Sequence, residues 1–189
     1  MNLAVRQSVI SIDEYLDGEL HSDIRHEYLA GEVYAMAGAG EKHNRVAGNL
    51  FFHLRAASRG KPCGVFISDM KLRIDASDAF YYPDVLVTCD PADTQPLFKT
   101  LPCLLVEVLS PSTEATDRRE KLQAYRKLPT LRHYLLVSQE QRSVQWQQRD
   151  ETGQWLISDL EGSGTLDLTC PGMAVTVTLD DIYEDVKLV

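Results

Sequence analysis

Glu107 is a carboxylate set inside an apolar run, Leu105-Val106-Glu107-Val108-Leu109. Burying a carboxylate is costly unless a cation, hydrogen bonds or a metal meet it. The bland alternative is a strand-end residue reaching water, or a buried salt bridge, since Ser110-Pro111 lies close by. Asp84 follows Pro83 and precedes Val85-Leu86-Val87. A proline there marks an interrupted or edge ladder, which can aim a carboxylate into a cleft. Taken alone, an Asp beside a Pro reads as a turn residue. On neighbouring strands, Asp84 and Glu107 would together supply the hard oxygen ligands that Mg²⁺ takes. Lys121 shares a helical face with Tyr125 and Leu128 by the 3.6-residue period. If that face packs on a sheet, its ammonium reaches the acids and can orient a water or offset phosphate charge. Otherwise the lysine snorkels to solvent. Two acids and a lysine in this relation are suited to metal-assisted hydrolysis.

Glu32 and His43 extend the candidate set. Glu32 would share a strand face with Tyr34 and Met36, turned toward the core, unless it is a solvated residue after a turn. His43 stands four residues before Ala47 and seven before Leu50, on a helix's inward stripe. It could bind a phosphate, donate a proton or orient a carboxylate, or simply be satisfied by backbone near a cap. No GxxxxGK[ST], HExxH or GxSxG motif occurs.

The elements that must position these residues can be read from periodicity. Ser11 and Glu14 form a capping-box pattern for a helix over 11–20, with Ile12, Tyr15 and Leu16 as its apolar face. Ala30-Gly31 predicts a turn before a strand carrying Glu32. Ala47, Leu50, Phe51 and Leu54 stripe a helix over 42–58, ended by Gly60 and Pro62. Strands are expected at 64–74 and 80–89. The run 103–109 is apolar on both faces, as a central covered strand is. Asp117 and Glu120 can cap a helix closed by Pro129. The remainder reads as strands at 133–138, 143–149, 155–160, 165–168 and 173–178, then a short helical turn near 180–183. The pair 143–149 and 155–160 forms a hairpin, with Trp146 and Trp155 as packing anchors. The sequence shows no repeat or linker, so the expectation is one α/β domain over 1–189, with its core at about 10–185.

Composition limits the partners. Asp and Glu number 28 against 19 Lys and Arg, a formal charge of −9 in 189 residues. Such a chain is a poor non-specific coat for nucleic acid, though a local basic groove or a metal-balanced acidic site is compatible with it. Local candidates for phosphate contact are Lys42, Arg45, Arg55, Arg59, Lys61, Lys71, Arg73, Arg118 and Arg119. The cysteines, Cys63, Cys89, Cys103 and Cys170, lie far apart without a CxxC pair. They are expected to be free thiols in a reducing compartment, and their spacing gives little support to a zinc site. Asp13, Glu14 and Asp17 fall where a leader would need an apolar stretch, and no window approaches a membrane span. A cytoplasmic protein without membrane contact is therefore expected.

Several segments together resemble the Uma2 family. They are His26-Glu27-Tyr28-Leu29-Ala30-Gly31-Glu32-Val33-Tyr34-Ala35-Met36, then His43, Tyr82-Pro83-Asp84-Val85, the run VEVLSPST at 106–113, Asp117-Arg118-Arg119-Glu120-Lys121 with Tyr125, and HYLLVSQ at 133–139. The resemblance implies a branch of the PD-(D/E)xK nuclease superfamily, with a restriction endonuclease-like fold: a central mixed β-sheet flanked by helices. It implies Mg²⁺, or Mn²⁺ in its place, on Asp84 and Glu107, helped by Glu32 and the Val108 carbonyl. It implies DNA as substrate and a homodimer as the unit that cuts both strands. The superfamily's usual lysine position corresponds to Leu109 here, and the family pattern supplies Lys121 from the next helix instead. Two rivals stand beside this reading: a catalytically inactive module that keeps the fold to bind nucleic acid or protein, and an unrelated hydrolase using the same acids in a small-molecule pocket.

Overall fold

The computed structural model describes residues 9–110 and 117–188. Helix α1 (Ile12–His21) starts at its capping box, where Ser11 Oγ accepts from Glu14 N–H and Glu14 accepts from Ser11 N–H. Its apolar side seats Tyr15 against Tyr28 and Phe80. A two-residue turn at Ala30-Gly31, both at positive φ, joins β1 (His26–Leu29) to β2 (Glu32–Ala35). Gly31 is required twice over there, because its φ is +93° and a Cβ would collide with Val9. Helix α2 (Glu41–Ala57) follows, burying Val46, Ala47, Leu50 and Leu54.

The chain then alternates between two sheets. β3 (Gly64–Ile67), β6 (Val85–Thr88), β8 (Pro102–Leu109), β9 (His133–Ser138), β10 (Ser143–Arg149) and β11 (Trp155–Glu161) form the central sheet in the order β11-β10-β9-β8-β6-β3. It is mixed: β8 and β9 run parallel, and the other pairs run antiparallel. β4 (Lys71–Ile74), β5 (Ala79–Tyr81) and β7 (Phe98–Lys99) join the first hairpin in a second sheet, β2-β1-β5-β4-β7. A separate hairpin pairs β12 (Thr165–Cys170) with β13 (Met173–Thr178), and the short α4 (Leu179–Ile182) closes the fold.

Strand alternation sorts the core. Val85, Val87, Leu104, Val106, Val108, Leu135 and Val137 pack with α2 and the β12–β13 hairpin on one face. Leu86, Leu105, Leu109, Tyr134 and Leu136 face the other way, onto Leu72, Ile74, Ala124, Tyr125 and Leu128. Glu107 lies two residues from Leu105 and Leu109, so it shares this second face. There a wide π-helical turn (Asp117–Lys121) leads into α3 (Leu122–Tyr125). Strand β8 is buried along its whole length, as expected of a covered central strand.

Three expectations need correction. The stretch 64–74 is two strands in different sheets, broken where Ser68 takes φ +55°. The stretch 80–89 is likewise β5 and β6, parted by Tyr82-Pro83-Asp84, and the missing proline N–H explains that break. The cysteines are not free: Cys63 is bonded to Cys89, and Cys103 to Cys170. Sequence spacing hides this because the sheets, and not the chain, bring the four together. Pro111, Ser112 and Thr113 of the family run lie outside the described residues, as do the side chains of Asp117 and Arg118.

Candidate active site

Asp84 sits in the gap between β5 and β6 and is held from both sides. Its carbonyl accepts from Ser68 N–H, and its Oδ2 accepts from Val108 N–H at 2.7 Å. His43, in the first turn of α2, places Nε2 3.3 Å from the same Oδ2. Both contacts fall on Oδ2, which leaves acceptor capacity on the carboxylate. The N–H and C=O of one strand residue point the same way, so the Val108 carbonyl is turned toward the Asp84 side of β8.

Glu107 is 3% exposed and faces the helical turn. Tyr125 Oη donates to its Oε1 at 2.6 Å, and Lys121 Nζ lies 3.4 Å from each oxygen. The shared face expected of Lys121, Tyr125 and Leu128 is present, and all three are buried. Burial first, and the neighbouring Glu107 charge second, push the Tyr125 phenol well above its ordinary pKa. Tyr125 is thus held in the form that donates to the carboxylate.

A residue not singled out from the sequence completes the group. Glu27, on β1, places Oε1 2.9 Å from Lys121 Nζ. That oxygen is buried and has no hydrogen-bond partner, because the short approach is an ion-pair contact outside hydrogen-bonding angles. Glu32, which was expected to face the core, is exposed on β2 and accepts from Tyr34 Oη. The register explains the exchange: Glu27 pairs with Tyr34 and Leu29 with Glu32, so both acids share a hairpin face. β1 is the inner strand, flanked by β2 and β5, whereas β2 is the edge. Sequence alone offered an acid on each side of the turn, and only the neighbouring β5 decides between them.

Asp84, Glu107, Val108, His43 and Lys121 line one cleft of about 880 Å³, together with the 38–42 loop and N-terminus of α2. The Lys121–Glu27 contact lies between this cleft and a second hollow of about 610 Å³, which Glu27, Tyr81 and Glu120 line. Asp69 reaches the main cleft, paired with Arg25, but Lys71 does not; its ammonium lies over the Tyr82 ring. Tyr82 donates to the buried Glu19, whose other oxygen contacts His26, tying α1 to this wall. Of the cations expected to meet phosphate, only Lys42 among the described side chains lines the cleft, and it pairs with Glu140. Arg45 pairs with Glu41, Arg73 with Asp75 and Asp78, and Arg55 bonds Ser58. Among the described side chains, these basic candidates therefore do not converge on the cleft.

Among the described residues, Glu27 and Glu107 both reach Lys121, while Asp84 opens on the same cleft as Glu107 beside His43. The carboxylate oxygens of Asp84 and Glu107 on one cleft are donors of the hard kind that a divalent cation takes. Among the described residues, the only group of three or more His, Cys, Asp and Glu side chains with converging ligand atoms is Cys89, Cys103 and Cys170.

The family model described as "Uma2: Putative restriction endonuclease" matches residues 12–178. The chain is 39% identical over 175 residues to the uncharacterized protein slr1290 of Synechocystis sp., covering 92% of this chain and 91% of that one. It is 33% identical over 165 residues to the uncharacterized protein sll1609 of the same organism, at 86% and 93% coverage. A crystal structure from Anabaena variabilis, titled a "putative nuclease belonging to DUF820", superposes with a TM-score of 0.71 at 15% identity, covering 89% of this chain and 97% of that one. That likeness establishes the restriction endonuclease-like fold, a central mixed sheet flanked by helices. Among the described residues, no helix is long and apolar enough to cross a membrane.

Proposed function

We propose that this chain, which belongs to the Uma2 family, is a divalent-metal-dependent phosphodiesterase acting on DNA. Asp84 and Glu107 would hold Mg²⁺, or Mn²⁺ in its place, with the Val108 carbonyl as a further oxygen and Glu27 in the role expected of Glu32. The observation that carries the reading is the cleft that Asp84, Glu107 and Lys121 line together, with Glu27 reaching the same ammonium from β1. When bound there, such a cation lowers the pKa of a coordinated water and polarises a phosphate oxygen.

The remaining work belongs to the chain's own side chains. Lys121 Nζ, held between Glu27 and Glu107, orients the attacking water and offsets the charge growing on the phosphate oxygens. Tyr125 keeps Glu107 from swinging toward Lys121 alone. The N-terminus of α2 opens on the cleft at Gly40, an N-cap residue without a capping side chain, so a phosphate oxygen could approach its first turn. Water oxygen bonds to phosphorus and gives up its proton to solvent, the opposite P–O bond breaks, and the leaving oxygen takes a proton, a role open to His43 on the cleft wall. A homodimer would bring two such sites to the two strands of a duplex, and the open edge of β11 is one place for it.

The chain's acidic balance, with Lys42 alone of the basic candidates on the cleft among the described side chains, favours a second reading, a module that keeps the fold and binds a partner without turnover. One assay separates the two. Supercoiled plasmid and single-stranded DNA are incubated with wild type and Asp84→Asn, with Mg²⁺, Mn²⁺ or a chelator. The asparagine keeps an acceptor for Val108 N–H, so the fold is retained. Cleavage by wild type that falls at least about 10²-fold in Asp84→Asn and stops with chelator supports the enzyme. A wild type that cleaves neither DNA supports the module.

A further inference from the structure

All four cysteines gather at one point, at the ends of β6 and β8 away from the acids. Cys63 precedes β3, Cys89 follows β6, Cys103 lies near the start of β8, and Cys170 ends β12. Two bridges serving only as staples could lie anywhere in the fold. These two lie against each other, with the sulfurs of Cys89 and Cys103 3.7 Å apart. The sulfurs of Cys89, Cys103 and Cys170 all lie within 4.8 Å of one another. In a tetrahedral thiolate centre with metal–sulfur bonds of about 2.3 Å, neighbouring sulfurs are roughly 3.8 Å apart. The Cys89–Cys103 separation is already that edge.

Cys170 supplies the third sulfur of that group, and the pairing of β3 with β6 brings Cys63 beside Cys89 as the fourth, its sulfur just outside the group of three. Gly64 pairs with Thr88, so Cys63 and Cys89 are the next pair along, with Cα atoms 4.0 Å apart. Bonded cysteines usually span roughly 4.4–6.8 Å between Cα atoms. Cross-strand neighbours this close present their sulfurs side by side, as two adjacent corners of a tetrahedron are presented. Cys89, Cys103 and Cys170 are buried, and Cys63 is half-buried. A cavity of about 270 Å³, lined by Cys89, Cys103, Arg132 and Asp90, adjoins the cluster and gives it an entry path. Arg132 supplies a cation near a site whose four thiolates outnumber the charge of a divalent ion by two, and Asp90 opposes it.

We propose that the reduced chain binds one Zn²⁺ through Cys63, Cys89, Cys103 and Cys170. A phosphine supplies two electrons to each bridge and leaves as its oxide, with water giving the oxygen and the two thiol protons; a dithiol supplies both electrons and protons and closes to its own disulfide; metal binding then releases the thiol protons. The site lies on the same two strands as the acids, so the metal would clamp the far ends of β6 and β8 and tie β12 to them.

The test uses the full chain, reduced with a phosphine, desalted and titrated with Co²⁺ alone. The expected result is a sulfur-to-cobalt charge-transfer band with tetrahedral ligand-field bands, saturating at one equivalent and bleached by Zn²⁺. Cobalt on the carboxylates of the cleft gives no sulfur band, so the two sites are distinguished. Zn²⁺ should also raise the melting temperature of the reduced chain, and both effects should be lost in the Cys103→Ser, Cys170→Ser double variant. A folded chain with four free thiols that takes up no Co²⁺ overturns the proposal. Bridges that the phosphine cannot open in the folded chain overturn it equally.

Discussion

Strands β6 and β8 end in opposite chemistry. At one end, Asp84 and Glu107 stand with Lys121, Glu27 and His43 around an open cleft. At the other, Cys89 and Cys103 are joined to Cys63 and Cys170, and His133 opens the neighbouring β9. The acid end keeps ionised groups out of bulk water and partners them with one another. The cysteine end is cross-linked and holds its imidazole neutral. Trp146 Nε1–H donates to His133 Nδ1, and the other ring nitrogen lies 3.0 Å from both the carbonyl and the N–H of Thr169. Buried carboxylate is concentrated at the cleft, and the cross-links where the strands are fastened. The shared strands make the fastened end a rigid base for the reactive one.

Removing a charge from the acid end should have the larger effect. Lys121→Ala leaves Glu27 and Glu107 facing each other in a buried site without their ammonium. Breaking a buried pair on one side costs about 3–5 kcal/mol, and urea unfolding should show a loss of that size. Added Mg²⁺ should then raise the melting temperature of Lys121→Ala more than that of wild type, because the vacated position suits a cation. A loss below about 1 kcal/mol would place the lysine in effective contact with solvent and contradict the description of the site.

Adding a charge to the cysteine end should come next in size. Burial holds the His133 imidazole down to about 4, from an ordinary value of 6.5. Between those two pH values the unfolded chain binds a proton that the folded chain refuses. The stability this histidine contributes is therefore fully present above pH 6.5 and is lost as pH falls toward 4, by on the order of 3 kcal/mol in all. Urea midpoints for the oxidised chain across that window, in wild type and His133→Gln, should differ in slope, with the variant flatter. Identical slopes would mean that His133 accepts the proton in the folded state.

Much of this contrast was legible in the sequence. The capping box at Ser11, the covered strand around Glu107, and the helical face of Lys121 and Tyr125 are local or periodic signals, and each is present in the fold. Asp84 was readable because Pro83 removes a ladder donor beside it. What escaped was set by contacts between distant segments. Glu27 and Glu32 flank one turn on one hairpin face, and only the placement of β5 makes β1 the inner strand. The 64–74 stretch reads as a continuous strand until Ser68 sends its halves to different sheets. The cysteines are separated by 26 residues in one bridge and 67 in the other, so no local pattern could pair them.

The central claim is that the acid end binds a divalent cation through Glu107 and uses it to cut DNA. Mg²⁺ is titrated calorimetrically into wild type, Glu107→Ala and, as a surface control, Glu32→Gln, and each is assayed on plasmid. Binding and cleavage in wild type and Glu32→Gln, with both lost in Glu107→Ala, is the predicted result. Cleavage that continues undiminished in Glu107→Ala would contradict the assignment.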